Sequence, residues 1–204
     1  AWALLGALLA GPAWGEALGP ERRLTLHLDP AERGLAGELV QPLPDGGRFA
    51  LLDGLDVREA RCGERTLPLA RDREGRWVVP ACSAPMLTLR WQGTLPEAGR
   101  ETRHAIAEAG TFLPTRGGWY PHLVEAAGPL SLEVHTPAGQ RALGSGSLVE
   151  ERATPEGRLT RFHHPQTREV ELAAGPWALR ERDAGGVTLR VLFPEALDAA
   201  FGAT

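Results

Sequence analysis

Glycine and proline punctuate this chain too often for long helices. They fill 42 of 204 positions, 25 plus 17, and interrupt most windows long enough for an amphipathic helix. In a helix interior Gly costs about 1 kcal/mol and Pro about 3 kcal/mol relative to Ala. Between the breaks the apolar residues repeat with a period of two. Leu24, Leu26 and Leu28 alternate with Thr25, His27 and Asp29. Leu35, Gly37 and Leu39 continue on a second run, and Leu87, Leu89 and Trp91 on a third. Leu130, Leu132 and Val134 alternate with Ser131, Glu133 and His135, and Val187, Leu189, Val191 and Phe193 share one face of a last run. Alternation of this kind marks half-buried strands.

Turn chemistry separates the runs: Asp45-Gly46-Gly47, Asp53-Gly54, Glu74-Gly75, Pro155-Glu156-Gly157 and Ala184-Gly185-Gly186. The expectation is an all-β fold of curved or sandwiched antiparallel sheets. Two segments depart from it. Glu97 to Ala109 is polar and reads as a loop with a turn of helix. "PEALDAAFGAT" places Pro194 at the start of a short C-terminal helix. The division that follows is 1–17 as the remnant of an export signal, 18–193 as one β domain, and 194–204 as the start of a following helical domain. The first part rests on "AWALLGALLAGPAWGEA", an apolar run of signal length followed by the small residues Ala13 and Gly15. It is too short to span a bilayer, which takes about 20 apolar residues.

Charge excludes some partners. The net charge is −4 and the charges are scattered, so no basic patch awaits a nucleic acid and no polybasic run a membrane. All 22 basic residues are arginine, with no lysine and no asparagine, a bias that fits a GC-rich bacterial genome. Two cysteines, Cys62 and Cys82, are too few for a cysteine-built zinc site. In an oxidising compartment they could form a disulfide, worth about 3 kcal/mol; two unpaired buried thiols are the alternative. His163 and His164 are adjacent, as are Glu150 and Glu151, so on a strand each pair points to opposite faces. "GSGS" at 144–147 lacks the G-x-S-x-G pattern of a nucleophile elbow. No self-contained catalytic site and no cofactor site is legible.

"GTFLPTRGGWYPH", Gly110 to His122, concentrates Phe112, Trp119 and Tyr120 among glycines and prolines. The aromatics read most simply as a plug between sheets. Trp119, Tyr120, His122 and Glu125 are the candidate substrate-contacting residues.

Five stretches in order carry a family likeness: "LTLHLDPAERGLAGEL", "MLTLRWQGTL", "GTFLPTRGGWYP", "LSLEVHTPAGQRALGSGSLVEE" and "REVELAAGPWALRE". From Leu24 onward the chain resembles the saddle-like N-terminal β domain of the aminopeptidase N family of zinc metallopeptidases, in a divergent bacterial branch. Family members carry F-P-C-x-D-x-P, with an aspartate soon after the proline, where this chain has "WYPHLVEAAGPL" with His122 and Glu125 and no aspartate. In that family the β domain packs on a mainly helical catalytic domain holding an H-E-x-x-H zinc helix, a motif not found between Ala1 and Thr204. The resemblance implies a non-catalytic domain of an exported aminopeptidase-like protein. Its partners would be its own zinc-bearing catalytic domain and, through that domain, a peptide. The alternative function is an exported β-sandwich module that binds or scaffolds without a peptidase.

Overall fold

The computed structural model describes residues 20–197, apart from 44, 98, 100–102 and 124–126. The strands, in chain order, are β1 (Arg22–Asp29), β2 (Gly34–Gln41), β3 (Gly47–Phe49), β4 (Leu55–Cys62), β5 (Arg65–Thr66), β6 (Ala70–Arg71), β7 (Trp77–Val79) and β8 (Leu87–Thr94). Then come β9 (Thr111–Leu113), β10 (Gly128–Thr136), β11 (Arg141–Gly144), β12 (Ser147–Thr154), β13 (Gly157–Thr167), β14 (Leu172–Gly175), β15 (Trp177–Ala184) and β16 (Val187–Pro194). Eight of them form one sheet in the order β12-β13-β10-β1-β2-β8-β4-β5. Two three-stranded sheets, β11-β14-β9 and β3-β7-β6, and the hairpin β15-β16 complete the fold.

The all-β expectation holds, with two corrections. The sheets are not purely antiparallel, because β1 runs parallel to β10 along Arg22–His27. Alternation is the same for either strand direction, so it does not distinguish the two. The C-terminal helix start is also wrong. Pro194 is the last residue of β16, paired with Trp177, and only a 3₁₀ turn, Glu195–Leu197, follows. Proline, with no N–H to satisfy, suits a strand end as well as a helix start. Residues 198–204, the rest of that expected helix, lie outside the described residues, as does the expected export signal. No α-helix occurs among the described residues. The described part of 97–109 gives a bridge from Ala105 to Phe112 instead of a helical turn.

The alternating leucines meet in two cores. Leu24, Leu26, Leu130, Leu132, Val134 and Trp91 on the inner face of the large sheet pack with Leu113, Trp119 and Leu172 from the sheet β11-β14-β9 side. Val57, Ala60, Leu87 and Leu89 pack with Phe49 and Val79 under the sheet β3-β7-β6. Cys62 and Cys82 are disulfide-bonded in this second core, with Cα atoms 5.4 Å apart. Gly37 marks the tightest place in the first. A Cβ there would lie 2.2 Å from the Trp91 ring, so only glycine lets the indole lie across β2.

The outer face of the large sheet is charged instead. One row of partnered residues crosses seven strands: Glu150, Arg161, Glu133, Thr25, Glu38, Arg90 and Glu59. Arg161 bridges Glu133 and Glu150, both at 2.7 Å. Arg90 bridges Glu38 at 2.6 Å and Glu59 at 2.9 Å. Bulges on β4 and β12 insert Arg58 and Val149 just before the terminal glutamates of this row, and a bulge shifts the phase of alternation by one. Next to the row, the rings of His27 and His135 stack with centroids 4.1 Å apart.

Candidate functional site

The stretch 110–122 begins as β9 and leaves it through a tight turn. Leu113 and Thr111 point inward at 0% and 1% exposure, so period two turns Phe112 outward at 44%. Phe112 is therefore not part of the expected aromatic plug. The turn places Arg116 and Gly118 in the left-handed region, at φ 56° and 71°, a conformation uncommon for a non-glycine such as Arg116. The Trp119 indole closes the turn by donating to the Pro114 carbonyl at 2.8 Å. The Trp91 indole donates to the Trp119 carbonyl at 2.9 Å, which fastens the segment to the large sheet. Trp119 is fully buried, and Tyr120 packs against it with ring centroids 4.5 Å apart. Of the four residues singled out in the sequence, these two serve the core.

His122 reaches the surface. Its ring stands edge-on to Tyr120, 6.1 Å between centroids, and Nε2 lies 3.2 Å from the Arg168 carbonyl oxygen. Glu125, the fourth candidate, lies outside the described residues. A cavity of about 460 Å³ opens here, lined by Arg116, His122, Arg168 and Glu169. Arg116 is ion-paired with Glu169. Thr167 Oγ1 donates to the Glu169 carbonyl at 2.6 Å and accepts from the Glu169 amide at 3.2 Å, which holds this link between β13 and β14. Behind it Arg22 is buried, donating to the carbonyls of Gly128 and Thr167. Burial pulls the Arg22 guanidinium below its usual range, and the nearby Tyr120 only partly offsets this. Burial also pushes the Tyr120 phenol up to about 12. Arg168 and Glu169 carry no local signal in the sequence; chain topology brings them to His122 from 46 residues away.

A second feature lies on the same small sheet. Leu143, Ala173 and Phe112 are cross-strand partners in one row, so they share a face. Leu143 and Phe112 are exposed. The hairpin continues the theme, with Val187, Leu189 and Val191 at 59%, 50% and 51% exposure. Its opposite face closes on the body, where Leu179 and Leu192 approach Ala142, Leu148 and Phe162. Trp177 seats the root of the hairpin. A Cβ on Gly175 would lie 2.5 Å from its ring, and one on Gly110, next to β9, 3.2 Å.

The remaining chemistry-bearing residues are dispersed. His163 pairs with Glu21 at 3.1 Å, and the Ser145 hydroxyl accepts from the Glu171 amide at 2.9 Å. Among the described residues no group of three or more His, Cys, Asp or Glu is placed to hold a metal ion. The polar corner can hold an anion, and the apolar rows can be covered.

No protein-family model matches the chain, and no curated protein matches it significantly. Solved structures do resemble it. The M1 zinc metallopeptidase from Deinococcus radiodurans superposes with a TM-score of 0.65 at 18% identity, over 87% of this chain and 47% of that one. A two-domain M1 zinc metallopeptidase bound to L-tryptophan gives a TM-score of 0.65 at 18% identity, over 89% and 50%. An aminopeptidase N family protein from Idiomarina loihiensis gives 0.58 at 13% identity, over 84% and 32%. The chain thus spans half or less of the proteins it matches, and its fold is like that of the corresponding part of M1 zinc peptidases.

Proposed function

We propose that this chain is a non-catalytic β domain of an exported zinc aminopeptidase-like protein, covered on one side by a catalytic domain whose substrate cleft it helps to shape. The observation that carries this is the pair of apolar rows, Leu143 and Phe112 on the small sheet and Val187, Leu189 and Val191 on the hairpin. Large side chains left bare at this density mark a surface that meets another one. The fold likeness to M1 zinc metallopeptidases supplies the kind of partner. Zinc would belong to that partner domain, which would polarise water for peptide hydrolysis. His122, at the surface beside the Arg168 carbonyl, would be the residue of this chain that faces a substrate. The buried Cys62–Cys82 disulfide supports an exported, oxidising location.

The test is the reading frame beyond Thr204. The expected result is an H-E-x-x-H helix in frame and zinc-dependent aminopeptidase activity of the whole protein. A frame without zinc ligands, in a protein that hydrolyses no peptide, would overturn this reading and leave an exported binding or scaffolding module.

A further inference from the structure

The corner around His122 has an electrostatic imbalance that the proposed packing role does not use. The whole chain carries a net charge of −4, yet two arginines line this corner beside one described carboxylate, and a third guanidinium lies buried on the Thr167 carbonyl behind it. Arg116 faces Glu169 and is satisfied by it. Among the described residues Arg22, 8% exposed, donates only to carbonyl oxygens. Arg168 lines the cavity beside them, and among the described residues its guanidinium has no carboxylate partner. A carbonyl accepts a hydrogen bond without neutralising a cation, so the corner keeps an excess of positive charge.

The walls are fixed, which separates this place from an ordinary patch of surface arginines. Trp119 and Tyr120 anchor one wall in the core. The Thr167–Glu169 hydrogen bonds anchor the other, and the contact from the His122 ring to the Arg168 carbonyl ties the two together. Arg116 is held in a left-handed backbone conformation. Ion-pairing through Nε leaves its terminal nitrogens for another acceptor. A guanidinium presents a planar fork that matches the two oxygens of a carboxylate.

We infer that the cavity between Arg116, His122 and Arg168 is a carboxylate-binding site. Two sources share that chemistry, the free C-terminus of a peptide and an acidic side chain. The cavity of about 460 Å³ admits such a group with one flanking residue. Glu169 sets the selectivity: it consumes one charge of Arg116 and repels a second anionic group, so a monoanion is favoured over a phosphate dianion. This inference stands on the described residues and does not depend on the peptidase reading.

The experiment is a titration of the chain followed by NMR at the His122 ring and the Arg168 side chain, with acetate as probe and chloride as control. Saturable shifts with acetate and none with chloride are expected. Arg168→Gln should weaken acetate binding about tenfold, whereas Arg65→Gln, an exposed arginine on β5, should leave it unchanged. An unaltered Trp119 indole signal shows that the variant is folded. An N-acetylated peptide with a free C-terminus and an N-acetyl glutamate amide then separate the two sources, the tighter one naming the natural group. Lack of saturation in the parent chain, or equal weakening by Arg65→Gln, would overturn the site.

Discussion

On the outer face of the eight-stranded sheet, Glu150, Arg161, Glu133, Thr25, Glu38, Arg90 and Glu59 cross seven strands in one row, and the arginines bridge the glutamates. On the outward side of the small sheet and hairpin, Leu143, Phe112, Val187, Leu189 and Val191 stand bare. Both surfaces belong to strands with the same period-two alternation, but the hairpin packs on the body only at its root, through Leu179, Leu192 and Phe193. They differ in what the outer half of the alternation contains. An outer face of paired charges gains nothing by being covered, since burying them removes their hydration. The bare aliphatics and the phenylalanine gain about 25 cal/mol for each Å² removed from water, although Arg180 and Arg182 stand across from Val191 and Leu189 on the hairpin face. Covering therefore opposes the hydration of one surface and favours the other.

The comparison breaks most decisively on the apolar side. Phe112→Ser together with Leu189→Ser should cost the chain itself little, about 0.5 kcal/mol or less per site, because both side chains are already half exposed. Association with the proposed catalytic domain, supplied as a separate chain, should fall at least about thirtyfold, the effect of removing interface anchors. Titration calorimetry with both chains measures this. Undiminished association would show that the partner binds elsewhere on the chain. A chain that unfolds would show that these side chains belong to the core.

The charged side is tested by editing its row. Arg161→Gln leaves Glu133 and Glu150 facing each other without their bridge, and should lower Tm by about 1–3 °C at low salt and by less at 1 M salt. Thr25→Arg is the converse. Thr25 lies between Glu133 and Glu38, where the alternation of sign would call for a cation, and an arginine there should raise Tm by about 1–2 °C at low salt. Thermal denaturation at two ionic strengths reads both. If salt changes neither difference, the row is a geometric coincidence without electrostatic weight.

Much of this was legible in the residues, and what was not is of one kind. Period two picked out the inner faces of β1, β2, β8 and β10, and Leu24, Leu26, Leu87, Leu89, Leu132 and Val134 are all buried. It also put Val187, Leu189 and Val191 on one face of β16, but alternation names a shared face without saying whether anything covers it. The charged row depends on strand registers such as Thr25 with Glu133, 108 residues apart, which no local pattern encodes, and on two bulges at Arg58 and Val149 that shift the phase. Parallel pairing of β1 with β10 and the meeting of Arg168 with His122 are lost for the same reason. Pro194 misled because a missing N–H is equally acceptable at a helix start and a strand end.

The smallest expected effect is the pH response of the charged face, absent from the apolar one. Burial holds the His27 imidazole below its usual 6.5, the charge of the stacked His135 adds to this, and Glu133 opposes it. A folded-state value below the unfolded one means that the native state prefers the neutral ring. Its contribution to stability is complete above about pH 6.5 and is lost as pH falls from there through the folded value. Glu133 behaves likewise at lower pH. Burial raises its carboxyl, but hydrogen bonds from Arg161 and His135 outweigh that and hold it below 4.5, so its contribution is complete above about 4.5 and is lost on further acidification. Two successive declines in Tm are therefore expected, one starting near pH 6.5 and one near pH 4.5. His27→Asn should flatten only the first, by about 1 °C, and Arg161→Gln should reduce only the second. Phe112→Ser, on the apolar side, should leave both untouched. A Tm profile that His27→Asn does not alter would remove the histidine pair from the account and leave the row of glutamates and arginines as the only pH-dependent element of that face.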